Sequence, residues 1–143
     1  MSLKLSTQIL NVLPMSMRHI RKMAFEEAND CISIPQLRIL GAIHDDFCHV
    51  SVLAKIMGVT QAAVSKMVDG LVERDLVLRQ NCVDRRAVKL VLTKKGSAIN
   101  QKVRVSIERQ IDILLKELNK DDKDKIRDGL LVLSKVFTHE SIL

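Results

Sequence analysis

The apolar positions Leu5, Ile9, Val12, Leu13, Met17, Ile20 and Met23 recur at spacings near three and four, which predicts a helix over residues 5–29. Pro14 falls inside that stretch, so the helix is expected to start afresh or kink there. Ser33-Ile34-Pro35-Gln36 has the form of a capping box with proline in the first turn, and it opens a short helix to about His44 with Leu37, Leu40 and Ile43 inward. After a polar connection over 45–49, Ser51 is expected to cap a helix ending at Met57. Gly58 then turns the chain, and Thr60 caps a longer helix to Arg74. Residues 76–80 and 87–92 change period and are rich in aliphatic and β-branched side chains, so they read as a β-hairpin whose polar tip is 81–86. Thr93 caps a helix carrying the stripe Ile99, Val103, Ile107, Ile111, Leu114 and Leu118. Asn119 starts a last helix with Ile126, Leu130, Leu133 and Phe137 on its inward face.

Two long helical stripes flank a middle too small to bury both. An unpaired stripe exposes a large apolar patch, so a homodimer built by both chain ends is expected, the alternative being helices that fold back on their own domain. The 143 residues fit one domain. With three phenylalanines and no Trp or Tyr, the core rests on Leu, Ile, Val and Met, and the composition argues against a stacking platform for single-stranded nucleic acid. Cys31, Cys48 and Cys82 are too few and too scattered for a disulfide framework. No signal-peptide pattern opens the chain and no apolar run approaches a membrane span. The expectation is therefore a cytoplasmic protein with no membrane partner.

The net charge of +6 is unevenly placed: residues 60–95 carry net +4, whereas 96–143 carry only +1. A basic stripe is the footprint of a polyanion partner, although charge alone does not separate this from a solvated face. The stretch Ser51 to Arg74 has helix-turn-helix form, with small Ala54 where two helices approach and Gly58 at the turn. Val64, Met67, Val68 and Leu71 make the buried face of the second helix, leaving Gln61, Ala62, Ser65 and Lys66 outward. Gln pairs bidentately with adenine, Ala meets a thymine methyl, and Ser and Lys take bases or phosphates. Ser51, Thr60 and Arg74 complete the candidate set on the helices. A plain two-helix corner would also present polar outer residues, but the hairpin beyond it adds Asp84, Arg85 and Arg86 at a tip suited to the minor groove.

Taken together, Gln36…Leu40, Val50-Ser51-x-Leu53-Ala54-x-x-Met57-Gly58-Val59-Thr60, Ala63-Val64-Ser65-x-x-Val68-Asp69-x-Leu71, Leu76-Val77, Asp84-Arg85-Arg86 and Leu92-Thr93-x-x-Gly96 resemble the MarR family of bacterial winged-helix regulators. The likeness extends over essentially the whole chain. It implies a mainly α fold with a small β-hairpin wing (α+β). Residues 33–93 would form the winged helix-turn-helix DNA-binding lobe, and residues 1–30 and 94–143 the dimerisation helices of a single unit. It also implies a homodimeric transcriptional regulator on a pseudo-palindromic operator in double-stranded DNA. Such a regulator is usually a repressor and is often released by a small anionic or phenolic effector that shifts the spacing of the two DNA-reading heads. Two features depart from the pattern. Asp75 stands where the family usually has glycine, and the scarcity of aromatics argues against a stacking pocket for a phenol.

Other functions find less support. His44, Asp45, Asp46, Cys48 and His49 crowd six positions, but the long helix offers Ile107 and Ile111 where metal-sensing relatives carry histidines. Redox sensing would use Cys82 near the wing arginines, or Cys31. No phosphate loop, carboxylate pair or Ser/His/Asp spacing suggests an enzyme or a resident cofactor. A dimeric protein-interaction module without operator binding remains the non-catalytic alternative.

Overall fold

A computed structural model describes residues 2–28, 32–81 and 87–138. Its elements are α1 (Leu5–Ala28), α2 (Ile34–His44), α3 (Val50–Met57), α4 (Gln61–Glu73), β1 (Val77–Asn81), β2 (Val88–Leu92), α5 (Lys94–Leu115) and α6 (Lys120–Val136). This is the mainly α winged-helix architecture expected. Helix α1 does not restart at Pro14 but continues through it. Proline has no N–H for the Leu10 carbonyl, and the long amphipathic helix tolerates that single missing bond.

The caps explain most boundaries. Ser33 Oγ accepts from the Gln36 N–H while Gln36 Oε1 accepts from the Ser33 N–H, closing the capping box of α2. Thr60, Thr93 and Asn119 each accept a backbone N–H three residues on, at 3.1, 2.9 and 2.8 Å. Ser51 is the exception: it lies inside the first turn of α3, and His49 is the extended residue before it, with no side-chain cap. The reason is tertiary. The Cys48 carbonyl accepts the Leu90 N–H at 2.8 Å, and His49 Nδ1 lies 3.1 Å from the Val88 carbonyl. These ties hold 48–49 extended along β2, so the helix begins as soon as the chain leaves the strand.

The core gathers Ile39 and Leu40 of α2, Leu53 of α3, Val64, Val68 and Leu71 of α4, and Leu76, Val77 and Leu90 of the hairpin, all essentially without exposure. Burying such aliphatic side chains contributes about 1.5–3 kcal/mol each. The strands pair antiparallel from Val77 opposite Leu92 to Asn81 opposite Val88.

The joint after α4 is tight. Asp75 adopts φ 59°, a left-handed conformation that glycine takes without strain and Asp takes at modest cost. Lys95 Nζ then donates to the Arg74 carbonyl, Thr93 Oγ1 to the Asp75 carbonyl and the Thr93 N–H to the Leu76 carbonyl, at 3.3, 2.6 and 3.1 Å. Gly96 lies so close that a Cβ there would stand 2.0 Å from the Leu76 carbonyl oxygen.

Toward the chain ends burial fades. Helix α6 buries no residue, and its expected inward positions Ile126, Leu130 and Phe137 are exposed, with only Leu133 half-buried. On α5, Val103 is buried, Ile99 and Ile107 pack against the core, and Ile113 and Leu114 are 64% and 62% exposed. The apolar side of α6 is therefore not turned into its own domain, which corrects the inward assignment for that helix.

Gly96→Ala is expected to lose about 3 kcal/mol, since the clash is with backbone that cannot rotate away. Asp75→Gly should gain about 0.5 kcal/mol by relieving left-handed strain. Urea unfolding of the two variants beside wild type measures both signs.

Candidate nucleic-acid interface

Helix α4 follows α3 across a three-residue turn in which Gly58 takes φ 67°. Val64, Val68 and Leu71 are buried and Met67 half-buried, as the sequence pattern requires. The same rotation leaves Gln61, Ala62 and Lys66 exposed and Ser65 half-exposed on the other side. Thr60 is exposed at the N-cap, and Ser51 is exposed on the first turn of the preceding helix. No acidic residue occupies the first turn of α4, so its unpaired N–H groups and positive dipole end face solvent without a competing carboxylate.

Gln61, Ala62 and Ser65 share a groove of about 410 Å³ with Val50, Arg79, Val88 and Leu90, between α4 and the hairpin. Three of the four predicted recognition residues are thus brought together beside the wing strands, while Lys66 does not line this groove. Arg74 stands apart as the C-cap of α4, exposed, its carbonyl held by Lys95. Asp84, Arg85 and Arg86, and the thiols Cys31 and Cys82, lie outside the described residues. Cys48 is buried against the α2–α3 connection. Among the described residues no three of His, Cys, Asp or Glu converge as a metal site requires, and no helix is long and apolar enough to cross a membrane.

Sequence reasoning missed Arg79. Its Nη2 donates to Asp69 Oδ1 at 2.5 Å, joining β1 to α4. The signal was present in the period-two pattern, because Arg79 lies two residues after inward Val77. A second missed feature is a cleft of about 380 Å³ between α1, α2 and α5, floored by Ile20, Leu37, Val103 and Ile107 and edged by Arg21, Arg38 and Arg104. Its lining residues come from three distant segments, and none of them is aromatic. Arg104 is paired with Glu108 at 3.1 Å, and Ser106 donates to Glu27 at 2.8 Å across α5 and α1.

Residues 32–87 match the model of the MarR family. The fold is shared over nearly full length with solved structures. A transcriptional regulator from Thermotoga maritima is 26% identical with a TM-score of 0.71, covering 91% of this chain and 94% of that one. A MarR family protein from Bacillus stearothermophilus is 20% identical with a TM-score of 0.79, covering 94% and 97%. A mutant MepR from S. aureus bound to an oligodeoxyribonucleotide is 18% identical with a TM-score of 0.62, covering 95% and 100%. The likeness to the MarR family read from the sequence motifs is borne out.

Thr60→Ala should destabilise the chain by about 1 kcal/mol through loss of the Ala63 N–H acceptor, with Thr60→Ser restoring most of it; thermal melting of the pair tests this.

Proposed function

We propose that this MarR-like winged-helix chain is a sequence-specific regulator of transcription that binds a pseudo-palindromic operator in double-stranded DNA as a homodimer, as a repressor. The observation that carries this reading is the exposed N-terminal half of α4, where Gln61, Ala62 and Lys66 project beside an N-terminus free of first-turn acids. That half presents a bidentate amide, a methyl, a cation and open N–H groups, the donor set a major groove takes. Residues 33–93 act as the DNA-binding lobe, and Arg85 and Arg86 enter as minor-groove contacts on the strength of the sequence alone. Thr60 and Ser51 serve as phosphate contacts, Ser65 reaches bases from the groove, Arg74 adds charge beyond the helix, and Asp84 orients the arginine forks.

Residues 1–30 and 94–143 act as the dimerisation helices. The exposed Leu130, Leu131, Val136 and Phe137 of α6, with Leu5 and Leu10 of α1, give a second copy an apolar face to cover. The two recognition helices then enter successive major grooves roughly 34–36 Å apart. The cleft between α1, α2 and α5 suits a small effector with an apolar body and an anionic group, held by Arg21 or Arg38. Because it lies where the reading lobe meets the terminal helices, occupancy would alter the spacing of the two heads.

Selection of duplexes from fragmented genomic DNA by the purified protein, near physiological salt, tests the reading. An enriched inverted repeat bound by a dimer in sedimentation is the expected result. A monomer, or no bound duplex, would overturn it and favour the protein-interaction alternative. On the selected duplex, Lys66→Ala should weaken binding across sequences and lower the salt slope by about one per copy. Gln61→Ala should instead relax preference at one position of each half-site, a difference of about 1–3 kcal/mol.

A further inference from the structure

The strand register exposes an anomaly beside the recognition helix. Arg79 lies opposite Leu90 and on the same sheet face as Val77, both fully buried. That face packs on α4, and an aliphatic residue at position 79 would extend the core. Instead a guanidinium occupies an inward register position, with its side chain 36% exposed at the edge of the groove that holds Gln61, Ala62 and Ser65. Its partner Asp69 follows Gln61 and Ser65 at four-residue steps on α4, so the carboxylate continues the groove-facing stripe. Asp69 is 66% exposed, and a pair so open to water is weakly held.

A lone carboxylate there would repel an approaching phosphate. Paired with Arg79 it is neutralised, and the planar fork is held ready in the groove. We infer that Arg79 is a phosphate ligand kept in reserve by Asp69: in the free protein the guanidinium lies on the carboxylate, and on the duplex it exchanges that partner for a backbone phosphate. The geometry of Arg forks suits either oxyanion, and the exchange trades one charge-assisted bond for another. The inference rests on the DNA-binding reading above and adds to it a contact from the body of the wing. The competing role is structural. The pair would then only pin β1 to α4, or keep an inward charge on an edge strand against aggregation.

Salt titrations of binding to the selected duplex separate the two. Arg79→Ala is expected to weaken binding on the order of tenfold and to reduce the slope of log affinity against log salt by about 0.9 per bound copy. Arg79→Lys should restore the slope while recovering only part of the affinity, because the charge returns without the fork. Asp69→Asn should tighten binding. An unchanged slope in Arg79→Ala, or weaker binding in Asp69→Asn matching that of Arg79→Ala, would overturn the exchange and leave a structural clamp. Melting curves for all three variants identify any that fail to fold, and Arg79→Gln then replaces Arg79→Ala. If wild type binds no duplex, the DNA-binding reading falls and this inference with it. If wild type binds and only the slope fails to move, the exchange alone is wrong.

Discussion

Three consecutive backbone carbonyls, those of Arg74, Asp75 and Leu76, leave α4 and are taken by Lys95, Thr93 Oγ1 and the Thr93 N–H. The chain reverses there, and the groups that take all three carbonyls come from Thr93 and Lys95 at the start of α5. Thr93 resolves two demands with one hydroxyl, donating to Asp75 and accepting from the Gly96 N–H that begins α5. Gly96 is needed because the Leu76 carbonyl fills the space where a side chain would be. Helix α4, the hairpin and α5 therefore meet at one hydrogen-bonded joint. The placement of α4 relative to α5 follows from it.

Much of this was legible in the sequence because capping is local. Ser33, Thr60, Thr93 and Asn119 each satisfy an N–H three residues away, and no distant part of the chain is needed to see it. Ser51 has the same residue type but loses the role, since the bonds that hold Cys48 and His49 extended come from Leu90 and Val88, some forty residues on. Helix α6 shows the same limit differently. Periodicity gives the direction of an apolar face but not what lies against it, and within a single chain Leu130 and Phe137 lie against solvent.

The candidate interface divides in the same way. Gln61, Ala62 and Lys66 are outward because Val64, Val68 and Leu71 are inward, and that follows from helical geometry alone. Period two sets Arg79 on the face of Val77, but only the register opposite Leu90 and the contact with Asp69 place its fork at the groove. The cleft between α1, α2 and α5 is assembled from segments far apart in the chain, which no local pattern anticipates. The surplus of basic residues between 60 and 95 pointed to the same region without singling out a contact, and the fold places Arg79 from among them in the groove.

The stiff joint also sets the mechanics of the molecule. Helix α5 runs 22 residues from Thr93, a beam about 33 Å long. Its first turn is hydrogen-bonded to the exit of α4 through Thr93 and Lys95, so the beam is anchored at that end. A tilt of about 5° about one end displaces the other by about 3 Å, close to the rise of a single base pair at about 3.4 Å. Length alone thus turns a small angular change at one end of α5 into a displacement the size of a base-pair step at the other.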